Sequence, residues 1–221
     1  MNKRRACRSI MILSIALSLT AFIPDQVLAQ TDKGIELYNS GHCAEAEKVL
    51  REALKADPGD VRAEFYLGLA VLLQGNPVEA LDIFQKVKKS QERASQRSRS
   101  YVPNEHQIHL ALARARLGVK QYDEAWKDLE YARIENPESS DVYVYRGVFY
   151  YQQEKYGQAV KELEKAIKLD EKNPYAYYYA GLAYYKSGNG EKAINDLKMF
   201  LELAPDAPEA PNAEKIIDSL C

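Results

Sequence analysis

Five alanines, Ala46, Ala80, Ala125, Ala159 and Ala193, recur at intervals of 34, 45, 34 and 34 residues. Twelve residues before each stands a small residue: Gly34, Gly68, Ala113, Gly147 and Gly181. Four residues after each stands a large apolar one: Leu50, Phe84, Leu129, Leu163 and Leu197. Three columns in one 34-residue register, broken by a single insertion of 11, mark a solenoid in which each unit buries its apolar face only against its neighbours. This pattern constrains the fold more than any other feature of the chain.

Each unit reads as two antiparallel helices. In the last, Tyr177, Ala180, Gly181 and Tyr184 form one stripe at i, i+3, i+4 and i+7. Ser187-Gly188-Asn189-Gly190 breaks that helix, Ala193, Leu197 and Phe200 form the facing stripe, and Pro205 ends the second helix. Gly181 and Ala193 are small because two backbones approach closely there. Asp57-Pro58 and Asn136-Pro137 end earlier units in the same way.

The pattern resembles the tetratricopeptide repeat family. Tyr143, Gly147, Tyr150, Tyr156, Ala159, Leu163 and Ala166 follow its signature, as do Leu67, Gly68, Gly75, Ala80 and Phe84. Leu112, Tyr122, Ala125, Leu129, Ala132 and Pro137 make a third match, and Gly34, Leu37, Gly41, Ala46, Leu50, Ala53 and Pro58 a partial first one. Arg146, Glu171 and Phe200 depart from it, standing where Leu, Pro and Ala are usual. The resemblance implies an all-α solenoid over 30–207, in units of about 27–60, 61–94, 106–139, 140–173 and 174–207. Residues 208–221 read as a capping helix, which covers the apolar face that a last repeat otherwise exposes.

Residues 1–29 read as a secretory signal: Lys3, Arg4, Arg5 and Arg8, an apolar run from Ile10 to Ile23, and Val27-Leu28-Ala29 before the cleavage site. The run is shorter than the ~20 residues a spanning helix needs, so contact with a membrane is expected only if the segment stays uncleaved. The mature protein is expected to be exported, periplasmic or secreted. Cleavage takes four basic residues and one acid, moving the formal net charge from −2 to −5. A mildly acidic, mixed-charge surface argues against nucleic acid as a partner. Cys43 and Cys221 lie too far apart along stacked repeats to bridge within one chain, leaving free thiols or a bridge between chains.

No catalytic or cofactor motif is present, and no cofactor is expected. His106 and His109, with Glu105, have a spacing compatible with a metal, but exposed or half-packed histidines are the simpler reading, and none of the three is expected to bind one. The 95–105 insertion belongs to a basic stretch, Lys88, Lys89, Arg93, Arg97 and Arg99 against Glu92. It reads as a helix extension and loop, with contact to an anionic surface as a secondary possibility.

A helix that only stacks needs one apolar stripe, yet several first helices carry two. The second stripe comprises Phe65, Leu69, Leu72 and Leu73, then Val144, Tyr145, Val148 and Tyr151, then Tyr175, Tyr178, Tyr179, Leu182 and Tyr185. In the resembled family this side of the first helices lines a concave groove that binds ligands. Six of the eleven tyrosines between Tyr143 and Tyr185 fall on it, offering rigid area with a polar tip. The expectation is a protein-binding module whose partner is another protein or peptide. The alternative is a self-associating solenoid, its groove filled by its own chain or by a second protomer of a homo-oligomer. Phe65, Leu69 and Tyr145 stand where carboxylate-clamping members of the family carry charged or amide side chains, so recognition is expected to be aromatic and apolar.

Overall fold

A computed structural model describes residues 25–94 and 103–220. Eleven helices span the described residues, joined as hairpins: α1 (Asp25–Asn39) with α2 (Cys43–Ala56), α3 (Val61–Leu73) with α4 (Pro77–Ala94), α5 (Glu105–Gly118) with α6 (Tyr122–Glu135), α7 (Ser140–Gln152) with α8 (Tyr156–Leu169), and α9 (Pro174–Lys186) with α10 (Gly190–Leu203). The last helix, α11 (Ala210–Leu220), packs on α10. Most of the signal-like segment, the Arg97 and Arg99 positions and Cys221 lie outside the described residues, and nothing is described of the Arg93 side chain.

Local chemistry sets the helix ends. Asp60 caps α3 by accepting from the Ala63 N–H, and Asn104 with Gln107 forms a reciprocal capping box at the start of α5. Asn173 caps α9 ahead of Pro174 at its first turn. The hairpin turns need a left-handed residue at one fixed register position. Gly41, Gly75 and Gly188 fill it in three units, and Lys120 and Glu154 adopt the same positive φ in the other two.

The three sequence columns form the seam of each hairpin. Ala46, Ala80, Ala125, Ala159 and Ala193 are fully buried, and so are Leu50, Phe84, Leu129, Leu163 and Leu197. A Cβ placed on Gly147 would lie 2.4 Å from Leu163 Cγ, and one on Gly68 would lie 2.5 Å from Phe84 Cε1. Ala113, fully buried in the same column, shows that the seam accommodates one methyl when its neighbours are arranged for it. Gly147→Val is therefore expected to destabilise by about 3 kcal/mol through overpacking. Gly147→Ala also crowds Leu163, but about 1 kcal/mol of helix propensity offsets part of that, so it should cost only about 1 kcal/mol. Urea denaturation of both variants checks this; equal costs would mean that the seam is not what excludes valine.

Arg146 occupies a position on the hairpin's inner stripe without breaking it. Its Nε and Nη2 donate to both Glu162 carboxylate oxygens at 2.9 and 3.0 Å, while Nη1 pairs with Glu130. The guanidinium also lies 4.4 Å from the Trp126 ring centroid. Cation–π contact and a two-carboxylate clamp thus replace the aliphatic packing usual there.

First helices touch one another along the array: α1 on α3, α5 on α7, and α7 on α9. Second helices show no comparable packing among themselves among the described residues. The array therefore curves toward the first helices and makes their outer stripe its inner, concave face. Packing between α3 and α5 is sparse, at the junction that carries the insertion. Just before the insertion, α4 runs to 18 residues, against 14 for each of the other second helices.

Candidate functional site

Two neighbouring cavities open on the concave face. The larger, about 330 Å³, is lined by Leu72 and Leu73 from α3, Arg114, Leu117 and Gly118 from α5, Tyr145, Val148 and Gln152 from α7, Tyr175 and Tyr179 from α9, and Glu209 just before α11. The smaller, about 210 Å³, lies between α1, α3 and α5 and is lined by Tyr38, Phe65, Tyr66, Leu69, Leu110 and Arg114, among others. Five consecutive hairpins thus contribute to one surface, because the repeat register returns the same helix face at each unit.

The second stripe divides between cavity and core. Leu72, Tyr145, Val148, Tyr175 and Tyr179 line the larger cavity, and Phe65 and Leu69 the smaller. Tyr178 and Leu182 do not line an open groove: they are only 7% and 8% exposed. Tyr178 packs 4.9 Å from the Phe200 ring, and its hydroxyl accepts from Asn212 Nδ2 at 2.9 Å. Both residues cluster with Ala213, Ile216 and Ile217 of the cap. At this end the stripe is covered by the chain's own last helix. Val144 is buried in the core cluster it shares with Tyr143 and Val148, Tyr151 packs beside Tyr156 at 5.6 Å, and Tyr185 lies at the exposed end of α9.

The cavity is not purely aromatic and apolar, as the sequence led us to expect. Arg114 stands between the two cavities with its Cζ 5.0 Å from the Tyr145 ring centroid. Burial pushes the Tyr145 hydroxyl up, against the pull of the adjacent guanidinium, and the Tyr38 hydroxyl responds in the same way. Tyr175 is pushed up to about 12 by burial and by the Glu209 carboxylate, toward which its hydroxyl points at 3.4 Å. Burial raises Tyr179 further still. These hydroxyls therefore remain protonated donors at neutral pH.

Arg114 was legible in the register. Ile35, Leu69, Arg114, Val148 and Leu182 stand in one column, with the same intervals as the alanines. A search for apolar stripes passes over the one unit in which that column is charged.

The other candidates resolve into structure. His109 is buried rather than exposed or half-packed. Its Nδ1 lies 2.8 Å from Asp128 Oδ1, its ring stacks on Tyr131 at 4.9 Å, and Lys88 Nζ lies 3.5 Å from Nε2. Arg116 completes the group through Asp128. His106 Nδ1 bonds to the Ala132 carbonyl at 2.9 Å. The two histidines are thus committed to different partners, and no group of three metal-ligating side chains occurs among the described residues. Lys88 is drawn into this network, while Lys89 stays exposed on α4. Cys43 is a half-buried free thiol.

Hairpins stacked in a 34-residue register around a first-helix groove define an α-solenoid repeat protein. Profiles of the tetratricopeptide repeat match residues 31–96 and 110–166, with further TPR profiles at 147–188 and 175–207. The chain belongs to the tetratricopeptide repeat family and is a non-catalytic interaction scaffold, not an enzyme. Comparison with curated proteins found no match. Among solved structures it is similar to TTC0263, a thermophilic TPR protein of Thermus thermophilus, at 20% identity and a TM-score of 0.69, covering 88% of this chain and 98% of that one. It is also similar to MamA residues 41–end from Desulfovibrio magneticus RS-1, at 20% identity and TM-score 0.57, covering 84% and 98%. YrrB, a TPR protein with an unusual peptide-binding site, is similar at 19% identity and TM-score 0.50, covering 93% and 98%. At these identities the likeness speaks for the fold.

Proposed function

We propose that this protein is an exported scaffold or assembly factor that holds a protein or peptide partner in the first-helix groove. The observation that carries the reading is the larger cavity, in which rigid tyrosines, aliphatic side chains and an arginine from successive hairpins face one space. Such a mixture suits a few anchored side chains of an extended peptide or an amphipathic helix. YrrB supports the reading as a solenoid of the same fold with a peptide-binding site. The leader-like residues 1–29 are the basis for export.

The cap covering Tyr178 and Leu182 favours self-coverage at one end of the stripe, so the open cavity is where a partner is sought. Leu73 lines it and is 52% exposed, which makes it a suitable site for a photocrosslinking amino acid in the native compartment. The expected result is one captured protein, lost when Leu72→Gln removes an apolar wall. Capture unaffected by Leu72→Gln would overturn the groove reading. Crosslinks only to this chain, with concentration-dependent sedimentation, would replace it with a homo-oligomer.

A further inference from the structure

Five of the six arginines whose side chains are described are ion-paired: Arg51 with Glu47 and Glu79, Arg62 with Asp32, Arg116 with Asp128, Arg133 with Glu130, and Arg146 with Glu130 and Glu162. Arg114 alone forms no ion pair with a carboxylate among the described residues, although it is half-buried between the two cavities of the concave face. The acids on this face have other hydrogen-bond partners. Asp141 accepts from Asn173 Nδ2 at 2.9 Å, and Glu209 faces the Tyr175 hydroxyl. Desolvating a guanidinium is costly unless its charge and donors are met. The flanking tyrosine ring and hydroxyls hold it in place, and Asp141 attracts it without forming an ion pair.

We infer that Arg114 is the anchor for a single carboxylate of the partner, so that the groove selects a peptide segment carrying one Asp or Glu among apolar residues. The planar guanidinium presents paired donors that a carboxylate meets bidentately. The aromatic and aliphatic walls, Tyr145, Tyr179, Val148 and Leu72, then cover the residues to either side. Glu209 on the far wall sets a limit: a run of acids would bring a second carboxylate toward it, so one acid is favoured over an acidic tract. This inference rests on the groove reading above and adds the chemistry of the occupant.

The test is selection of random 12-residue peptides displayed on phage against the full chain, followed by fluorescence anisotropy with the synthesised winners. The selected peptides should share one Asp or Glu at a fixed place between apolar residues. Arg114→Gln should weaken them by about tenfold or more, the range for a charge-assisted pair. Changing the peptide's acid to its amide should cost the same in the parent and nothing further in Arg114→Gln. Arg114→Lys, which keeps the charge but not the fork, should fall between the two and guards against a folding defect. Winners that share no acid, bind Arg114→Gln unchanged and are lost in Leu72→Gln would leave the groove standing and sink the carboxylate anchor. Winners indifferent to both substitutions, or no winners, would sink both.

Discussion

Arg146→Ala is expected to destabilise the array by about 3 kcal/mol, near the lower end of the range for breaking a buried ion pair. The loss has two parts. The guanidinium side chain is only 11% exposed and packs on Trp126, so alanine leaves a gap between α6 and α7. It also leaves Glu130 and Glu162 without their shared cation, although both are partly exposed and turn toward water, which limits the cost. Arg146→Leu, which restores the residue usual in the family, should cost less because packing on Trp126 returns. Adding Glu130→Gln and Glu162→Gln to Arg146→Leu should recover most of the remainder. There is a pH signature as well. Burial alone would raise the Glu130 carboxyl, but hydrogen bonds from Arg133 and Arg146 outweigh it and hold it below its ordinary value. A depressed carboxyl contributes stability above its unfolded pKa and loses it as pH falls through the folded value. Urea denaturation between pH 7 and pH 3 should show that acid-side loss shrinking in Arg146→Ala. An unchanged pH profile would mean that Arg146 acts by packing alone.

Deleting 208–221 should have a larger effect still, about 4 kcal/mol, from re-exposing the equivalent of two large side chains. Phe200 and Leu197 are fully buried and Tyr178 nearly so, and the cap residues Ala213, Ile216 and Ile217 cluster with them. Because each unit is stabilised by its neighbours, the loss should fray α9 and α10 first and leave the α5–α8 hairpins ordered longer. The uncovered surface should also promote association, seen by light scattering after size exclusion. Ala213→Glu, which places a carboxylate in the fully buried seam while keeping the helix in the chain, should move both readouts in the same direction. A monomeric truncation as stable as the parent would show that α11 is not a cap.

The repeating core was almost wholly legible in the chain. Small and large columns at fixed register became the hairpin seams, since a helix pair approaching at glycine and alanine must place a bulky residue opposite. The second stripe was legible as a face but not as a site. Leu69, Val148 and Leu182 hold the same register position, yet Leu69 and Val148 border cavities and Leu182 lies with the cap. Periodicity tells which way a side chain points from its own helix; it carries no information on what lies beyond. Arg114 shows the complementary case. Its column was readable, but the lack of a partner depends on where Asp141 and Glu209 come to rest, on other hairpins.

The sequence by itself determined the unit, its register, its helix ends and the family, because those follow from short-range spacing and local backbone chemistry. Only the tertiary structure decided that the insertion coincides with sparse packing of α3 on α5, that α11 takes Tyr178 and Leu182 out of the groove, and that one arginine stands there with no ion-pair partner among the described residues. Those outcomes depend on contacts between residues far apart in the chain, where curvature and coverage are set by the sum of many interfaces and by no single motif.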